Sequence, residues 1–441
     1  MTCLRWRPVP LATALAVAAW IPLAAGGATL AITNARAFTG DSAQAVDRAT
    51  IVVEDGRIAS VTAAGAVPAG AQVVDAQGAI VTAGLMGAGT QLGLVELYSL
   101  KETTDPAVSK GPLGAAFDVE YAMNANSTLI PQARADGFTR ALSYPTGSAS
   151  APFSGLAAVL RLDDSPTLIE RPRAGLFIVT GGIAAMQGAG SRSAQWQLIR
   201  NAFDEAKQYR PTGKVGGPRD QQLNRLDIEA LRAVLAQRLP LGIFAYRESD
   251  IRQAVQLGQD YGLRVIIYGG TEAWRVADLL AAQGAGVVLD PVANLPATFD
   301  DLGVRADNAA LLQRAGVTLA FFAPGIQLNP NVGTAIREAA GVAVANGLPW
   351  NEALRALTAN PAKLWGMDDH YGRLARGQDA DLVIWSGDPL ELLTSVEGVW
   401  IDGQPVPLTS RQTALRDRYR AMPGRPAALD PTRVPGAKDG Q

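Results

Sequence analysis

The chain has 441 residues, 48% of them apolar and 18% charged, with a formal net charge of −2. That length is enough for one large domain and a smaller one around a substantial core, and the composition belongs to a globular chain, not a disordered one. One His, one Cys and no long run of Lys and Arg exclude a zinc site built from several His and Cys ligands and leave no concentrated basic face for nucleic acid.

Arg5 and Arg7 precede the apolar stretch LATALAVAAWIPL (11–23), and the small residues AAGGA follow. This is the pattern of a secretory signal peptide over residues 1–27, and its apolar run is shorter than the ~20 residues that span a bilayer. The mature protein is therefore expected in the bacterial periplasm, free of the membrane, and without Cys3 it has no thiol. Next come ATLAITNARAF, ATIVVEDGRIASVTAA and AQVVDAQGAIVTAGL, β-rich runs broken by Gly, Asp and Asn, with Asp55-Gly56 as a tight hairpin turn. A similar pattern, GRLARGQDADLVIWSGDPLELL and VEGVWIDGQPV, returns near the other end. Each segment is too small to be stable alone, so the two predict one small β-sandwich assembled from residues 28–83 and 366–410.

Between them, residues 84–365 alternate apolar strand runs with helical ones: PLGIFAY (240–246), ESDIRQAVQLGQDYG, LRVIIYGG, TEAWRVADLLAAQGA, GVVLDP, DNAALLQRAG and VTLAFF. Continuously apolar strands with short connections predict an α/β fold, a (β/α)8 TIM-like barrel, whose usual size is about 250 residues. An open doubly wound sheet shares this local pattern, but no G-x-G-x-x-G follows a strand, which weakens its dinucleotide-binding form. GGIAAMQGAGSRS (181–193) lacks the Lys-Ser/Thr ending of a P-loop and reads as a flexible loop over the barrel mouth. The tail, 411–441, begins as a helix and ends in a Pro, Gly and charge-rich run expected to be disordered.

The order sandwich, barrel, sandwich, together with GAIVTAGLMGAGTQLGL, YRESDI, GGTEAWRVADLL, GLPWNEALRALTANPAKLWGM and GRLARGQDADLVIWSGDPLE, resembles the amidohydrolase superfamily, in particular its imidazolonepropionase-like branch. The resemblance covers nearly all of the chain after residue 27, and NPAK followed by G-x-D-A-D-L-V is its most specific part. It implies hydrolysis of C–N and related bonds by one or two divalent metals, commonly Zn, at the C-terminal mouth of the barrel. Such a metal lowers the pKa of bound water from about 15.7 to near 7 and polarises the scissile carbonyl.

Set against the family's ligands, this chain departs at every one. The His-x-His pair of the first strand is matched by Gly89 and Gln91, the His of H-R-A-S-D-I by Tyr246, the His of H-G-T-E by Gly269, and the Asp of S-T-D by Ala323 or Pro324. Gly and Ala have no donor, an amide is a poor zinc ligand, and a phenol with an ordinary pKa near 10 rarely serves zinc hydrolases. The expectation is an exported pseudoenzyme with no cofactor at these positions.

Gln91, Tyr246, Arg247 and Tyr268, if convergent, make a pocket of aromatic faces and hydrogen-bond donors for a small polar ligand; equally, they plug the vacated space. The partners expected are such a ligand, a second copy of the chain or an active relative. The alternative is a working C–N hydrolase that uses oxygen-only metal ligation or carboxylate acid/base catalysis. Its residues would be Glu96, Glu248, Glu272 and Asp290, each at or just after a predicted strand end, and at least two must face one water in the lumen. The competing role of Glu248 and Glu272 is to open helices, where negative charge meets the positive end of the dipole. His370, in GMDDHYGRLARG, reads as a surface or structural residue, with Asp368 and Asp369 in a solvated turn. A purely structural scaffold is the third reading, and it requires a plugged mouth with no cavity.

Overall fold

The computed structural model of the chain describes residues 29–147, 152–210, 222–293, 295–323 and 332–420. The signal-type segment, Pro324 and the tail beyond residue 420 lie outside the described residues. Two sheets organise the rest.

The first sheet takes strands from both ends of the chain. From the N-terminal part come β1 (Leu30–Phe38), β2 (Val46–Glu54), β3 (Arg57–Ala63), β4 (Gln72–Asp75) and β5 (Ile80–Ala83). The C-terminal part adds β14 (Leu382–Trp385), β15 (Val396–Ile401) and β16 (Gln404–Pro405). Their order is β16-β15-β14-β5-β1-β2-β3, and β4 also pairs with β1. The join is the antiparallel pairing of β5 with β14, which sets Ala83 opposite Leu382 and Ile80 opposite Trp385. Leu30, Ile32, Ile51, Val53, Leu382 and Trp400 share the buried face. The β2–β3 hairpin turns on Asp55 and Gly56, both at positive φ (52° and 76°), as a two-residue turn of the primed type demands.

The second sheet is a nearly closed barrel of eight strands in chain order. They are β6 (Leu85–Thr90), β7 (Phe138–Ser143), β8 (Phe153–Arg161), β9 (Ile169–Val179), β10 (Leu241–Ala245), β11 (Val265–Gly269), β12 (Gly286–Leu289) and β13 (Leu319–Phe321). The TIM-like barrel expected from sequence is present, with one departure from strict strand–helix alternation: β8 runs antiparallel to both neighbours. The connections explain it. Residues 144–152 and 162–168 are too short for the dozen or more residues of a parallel crossover, so β7, β8 and β9 form a meander.

Helices cover the remaining connections. After α1 (Leu129–Ala135), which precedes β7, the β9–β10 connection holds α2 (Gly182–Gly188), α3 (Arg192–Gln208) and α4 (Arg225–Leu235). α5 (Glu248–Tyr261) follows β10, α6 (Ala277–Ala282) follows β11, and α7 (Asn308–Arg314) follows β12. α8 (Val332–Ala345), α9 (Trp350–Arg355) and α10 (Ala359–Leu364) lead back to the first sheet, and α11 (Arg411–Arg420) ends the described chain. Among the described residues, no helix is long and apolar enough to cross a membrane.

Candidate functional site at the barrel mouth

Strand residues two apart point to the same side, so alternate positions fill the lumen. Phe177, Phe244, Ile266, Tyr268, Val288 and Phe322 form one buried cluster there with Tyr144 and Trp365. The rings interlock: Tyr268 lies 5.1 Å from Phe244, 5.2 Å from Phe177 and 5.4 Å from Phe322, centroid to centroid. These are the offset and edge-on spacings that aromatic quadrupoles favour. Tyr268 is wholly buried, its hydroxyl donates to the Ala88 carbonyl oxygen, and burial pushes its pKa well above the ordinary tyrosine value. It is a neutral phenol.

Two glycines make room for two tyrosines. A Cβ added at Gly89 would stand 3.1 Å from Tyr268 Cε1 and 3.4 Å from Phe322 Cβ, so the ring of Tyr268 already occupies the space in front of β6. At Gly269 a Cβ would fall 2.5 Å from Tyr246 Cε1, and φ there is +84°, a conformation that L side chains rarely adopt. Tyr246, half-buried, packs against the same cluster. Its pKa is pushed up to about 12, by burial first and then by Asp301 and Asp300, so its hydroxyl also keeps its proton.

Above this plug lies a cavity of about 620 Å³, lined by Thr180, Gly181, Gly182, Ile183, Tyr246 and the Thr298–Asp301 turn among others. Asp300 accepts from the Gly182 amide at 2.6 Å and pairs with Arg192, which also lies 3.3 Å from Asp250. Residues 181–193 are thus mostly helical and held by a carboxylate, not the flexible loop expected from their Gly and Ser content. Asp301 forms a capping box with Thr298 and, among the described residues, has only neutral donors on its oxygens: the Thr298 amide and hydroxyl and the Thr271 hydroxyl. Sequence reasoning passed over both aspartates. The spacing Thr298-x-x-Asp301 was a legible helix-start signal, but nothing local placed it over the barrel.

Comparison with known proteins agrees with this architecture. Residues 329–407 match the Amidohydrolase family. The amidohydrolase tasK of Hapsidospora irregularis is 26% identical over an alignment of 395 residues, covering 80% of this chain and 39% of that protein. The chain thus spans about two fifths of the length of this curated relative. An amidohydrolase of Thermotoga maritima is 25% identical and has a TM-score of 0.76, over 87% of this chain and 100% of that one. The chain belongs to the amidohydrolase superfamily. A zinc-bound adenosine deaminase of Xanthomonas campestris shares the fold at 19% identity and a TM-score of 0.52, over 90% of this chain and 100% of that one.

Membership carries hydrolytic C–N chemistry at the level of the superfamily, and this amidohydrolase-superfamily barrel has the strand ends that such a site uses. The residues standing there do not fit the superfamily's metal. Gly89 and Gly269 offer no donor and face tyrosine rings, Tyr246 is a protonated phenol, and Ala323 is aliphatic. Gln91 is buried, and among the described residues its side-chain oxygen accepts no hydrogen bond. Arg247 is half-exposed and serves as the N-terminal cap residue of α5, its carbonyl accepting from the Ile251 amide.

Each acidic residue singled out from the sequence of this amidohydrolase relative has a local partner. Glu272 accepts the Glu248 amide at 2.8 Å and so caps α5, while Glu248 pairs with Arg252 one turn on. Glu96 accepts from the amide and hydroxyl of Thr128. Asp290 accepts from the Val292 amide in its own turn, and burial raises its pKa. The structure brings Glu248 and Glu272 together as a helix cap; Glu96 and Asp290 keep separate contacts.

A second group of charges sits at the opposite, N-terminal end. Arg140 on β7 is fully buried, hydrogen-bonds to Asp381 (2.6 Å) and forms an ion pair with Glu170, with Asp402 3.5 Å away and the Tyr371 ring 5.2 Å from its guanidinium carbon. Burial alone would lower its pKa, but Asp381, Glu170, Tyr371 and Asp402 outweigh that and raise it, so the cation is permanent. His370 stands beside this group, its side chain 30% exposed, with Nδ1 2.6 Å from Asp369 Oδ1.

Proposed function

We propose that this protein binds a small polar ligand at the barrel mouth and has given up the metal-assisted hydrolysis of its superfamily. The observation that carries the reading is the pairing of Gly89 with Tyr268 and of Gly269 with Tyr246: two ligand positions are not merely empty of donors but filled by rings. The cavity above the plug favours binding over an inert scaffold. Its wall offers a neutral phenol on Tyr246, the half-buried carboxylate of Asp301 and the hydroxyl of Thr180, beside the apolar Ile183. A ligand with a hydrogen-bond donor and a short apolar part suits those groups. Delivery to the periplasm, proposed from the signal-type segment 1–27, would set it among exported solutes.

The test is a hydrolysis panel of dipeptides, N-acyl amino acids and cyclic amides, run with Zn²⁺, Mn²⁺, Co²⁺ or chelator present. No turnover above the uncatalysed rate is expected in any condition. Metal-dependent turnover that Tyr246→Phe or Gln91→Ala abolishes, and that His370→Gln leaves intact, would overturn the reading.

A further inference from the structure

We propose that the floor of the barrel holds one divalent transition-metal ion on His370 Nε2, Glu170 Oε1 and Asp379 Oδ2, at the end opposite the mouth. Glu170 lies near the start of β9, whereas His370 and Asp379 lie on the segment from α10 to β14. His370 Nε2 is 3.6 Å from Glu170 Oε1 and 3.9 Å from Asp379 Oδ2, and the three atoms all lie within 4.8 Å of one another. Those separations are too long for hydrogen bonds. They lie close to the ~3.4 Å edge that bonds of about 2.1 Å make around a tetrahedral ion, so small side-chain rotations suffice.

The orientation of the histidine is the second observation. Its Nδ1 lies 2.6 Å from Asp369 Oδ1, which leaves Nε2 as the ring nitrogen directed toward two carboxylate oxygens. A carboxylate that holds the far nitrogen of a ligating imidazole is the usual support of a metal-bound histidine.

Both carboxylates are also turned for the task. Glu170 gives Oε2 to Arg140 and leaves Oε1 for His370; Asp379 gives Oδ1 to Arg57 at 3.2 Å and leaves Oδ2, with Arg140 3.8 Å away. Three arginines, Arg57, Arg140 and Arg161, face Asp163, Glu170, Asp379, Asp381 and Asp402, and Asp369 stands against His370, so acidic side chains outnumber the arginines. A cavity of about 590 Å³ opens beside the three atoms, giving an entry path and room for a water ligand. The imidazole selects zinc-like ions over Ca²⁺ and Mg²⁺. Bound there, the ion ties the barrel to the segment that enters the first sheet.

The test uses the full chain, stripped with chelator and dialysed, then titrated with ZnCl₂ by calorimetry and followed by thermal unfolding. One Zn²⁺ per chain and a raised Tm are expected. His370→Gln should abolish the binding, Asp369→Ala should weaken it by roughly 10–100-fold, and the mouth variant Gln91→Ala should bind as the parent does. Both floor substitutions are at partly exposed side chains and leave Arg140 paired, so the folded state survives them. No stoichiometric binding overturns the proposal, as does binding that His370→Gln leaves unchanged. Because the readout is metal binding and the hydrolysis panel reads turnover, this inference and the reading of the mouth fail separately.

Discussion

At the mouth, the barrel is closed by neutral rings: Tyr268, Phe244, Phe177 and Phe322 interlock, and the ionisable groups among them keep their protons. At the floor, β7, β8 and β9 carry Arg140, Arg161 and Glu170 into a net of carboxylates from the far end of the sequence. One set of strands thus ends in an apolar seal on one side and in buried ions on the other. The contrast separates two ways of tolerating change. Rings lost from a seal leave a cavity whose cost grows with its volume, whereas one ion lost from a buried set leaves its partners charged and unpaired.

The largest effect expected follows from that asymmetry. Arg140→Leu should cost about 3–5 kcal/mol of stability, because Asp381 would remain buried, and Glu170 half-buried, without their cation. Chemical denaturation of the variant and parent decides it, and a loss below about 1 kcal/mol would show that the floor is far better hydrated than its burial indicates. Tyr268→Ala should cost a similar ~3–5 kcal/mol through the cavity it leaves. Tyr268→Phe, which removes only the bond to the Ala88 carbonyl, should cost about 0.5–1.5 kcal/mol. If the two substitutions at Tyr268 cost the same, the ring is not the part that seals the lumen.

A sharper probe joins the two tyrosine–glycine pairs. Gly269→His, which restores the histidine of the superfamily, should destabilise by at least ~1–2 kcal/mol from backbone strain alone, with the clash against Tyr246 added. In the Tyr246→Ala background the same change should cost less, so a double-mutant cycle should give a coupling of about 0.5–3 kcal/mol. Additivity within error would mean that the ring does not compete for that space. Glu272→Ala, which removes the acceptor at the start of α5, should cost about 0.5–2 kcal/mol in thermal unfolding. Ligand binding at the mouth should be unaffected by it.

Much of this was legible in the chain itself. Asp55-Gly56 announced its hairpin, because only a primed turn joins twisted strands in two residues. The continuously apolar runs LGIFA, VIIYG and GVVL announced parallel strands covered on both faces. That Gly89 and Gly269 carry no side-chain donor was readable at once, since residue identity alone decides what can donate to a metal. Glu248 and Glu272 were open between catalysis and capping until the 2.8 Å bond of one to the amide of the other was visible.

The amino-acid sequence by itself determined which positions are apolar, where turns fall and which donors the mouth lacks, because those properties reside in single residues and their near neighbours. Only the tertiary structure decided that β8 runs backwards, that Tyr268 and Tyr246 fill the space in front of two glycines, and that Arg140 meets Asp381 across 241 residues of chain. Such contacts form when distant segments are packed around a common core. No local pattern carries them, since the pairing depends on which surfaces are brought together and not on the spacing within either one.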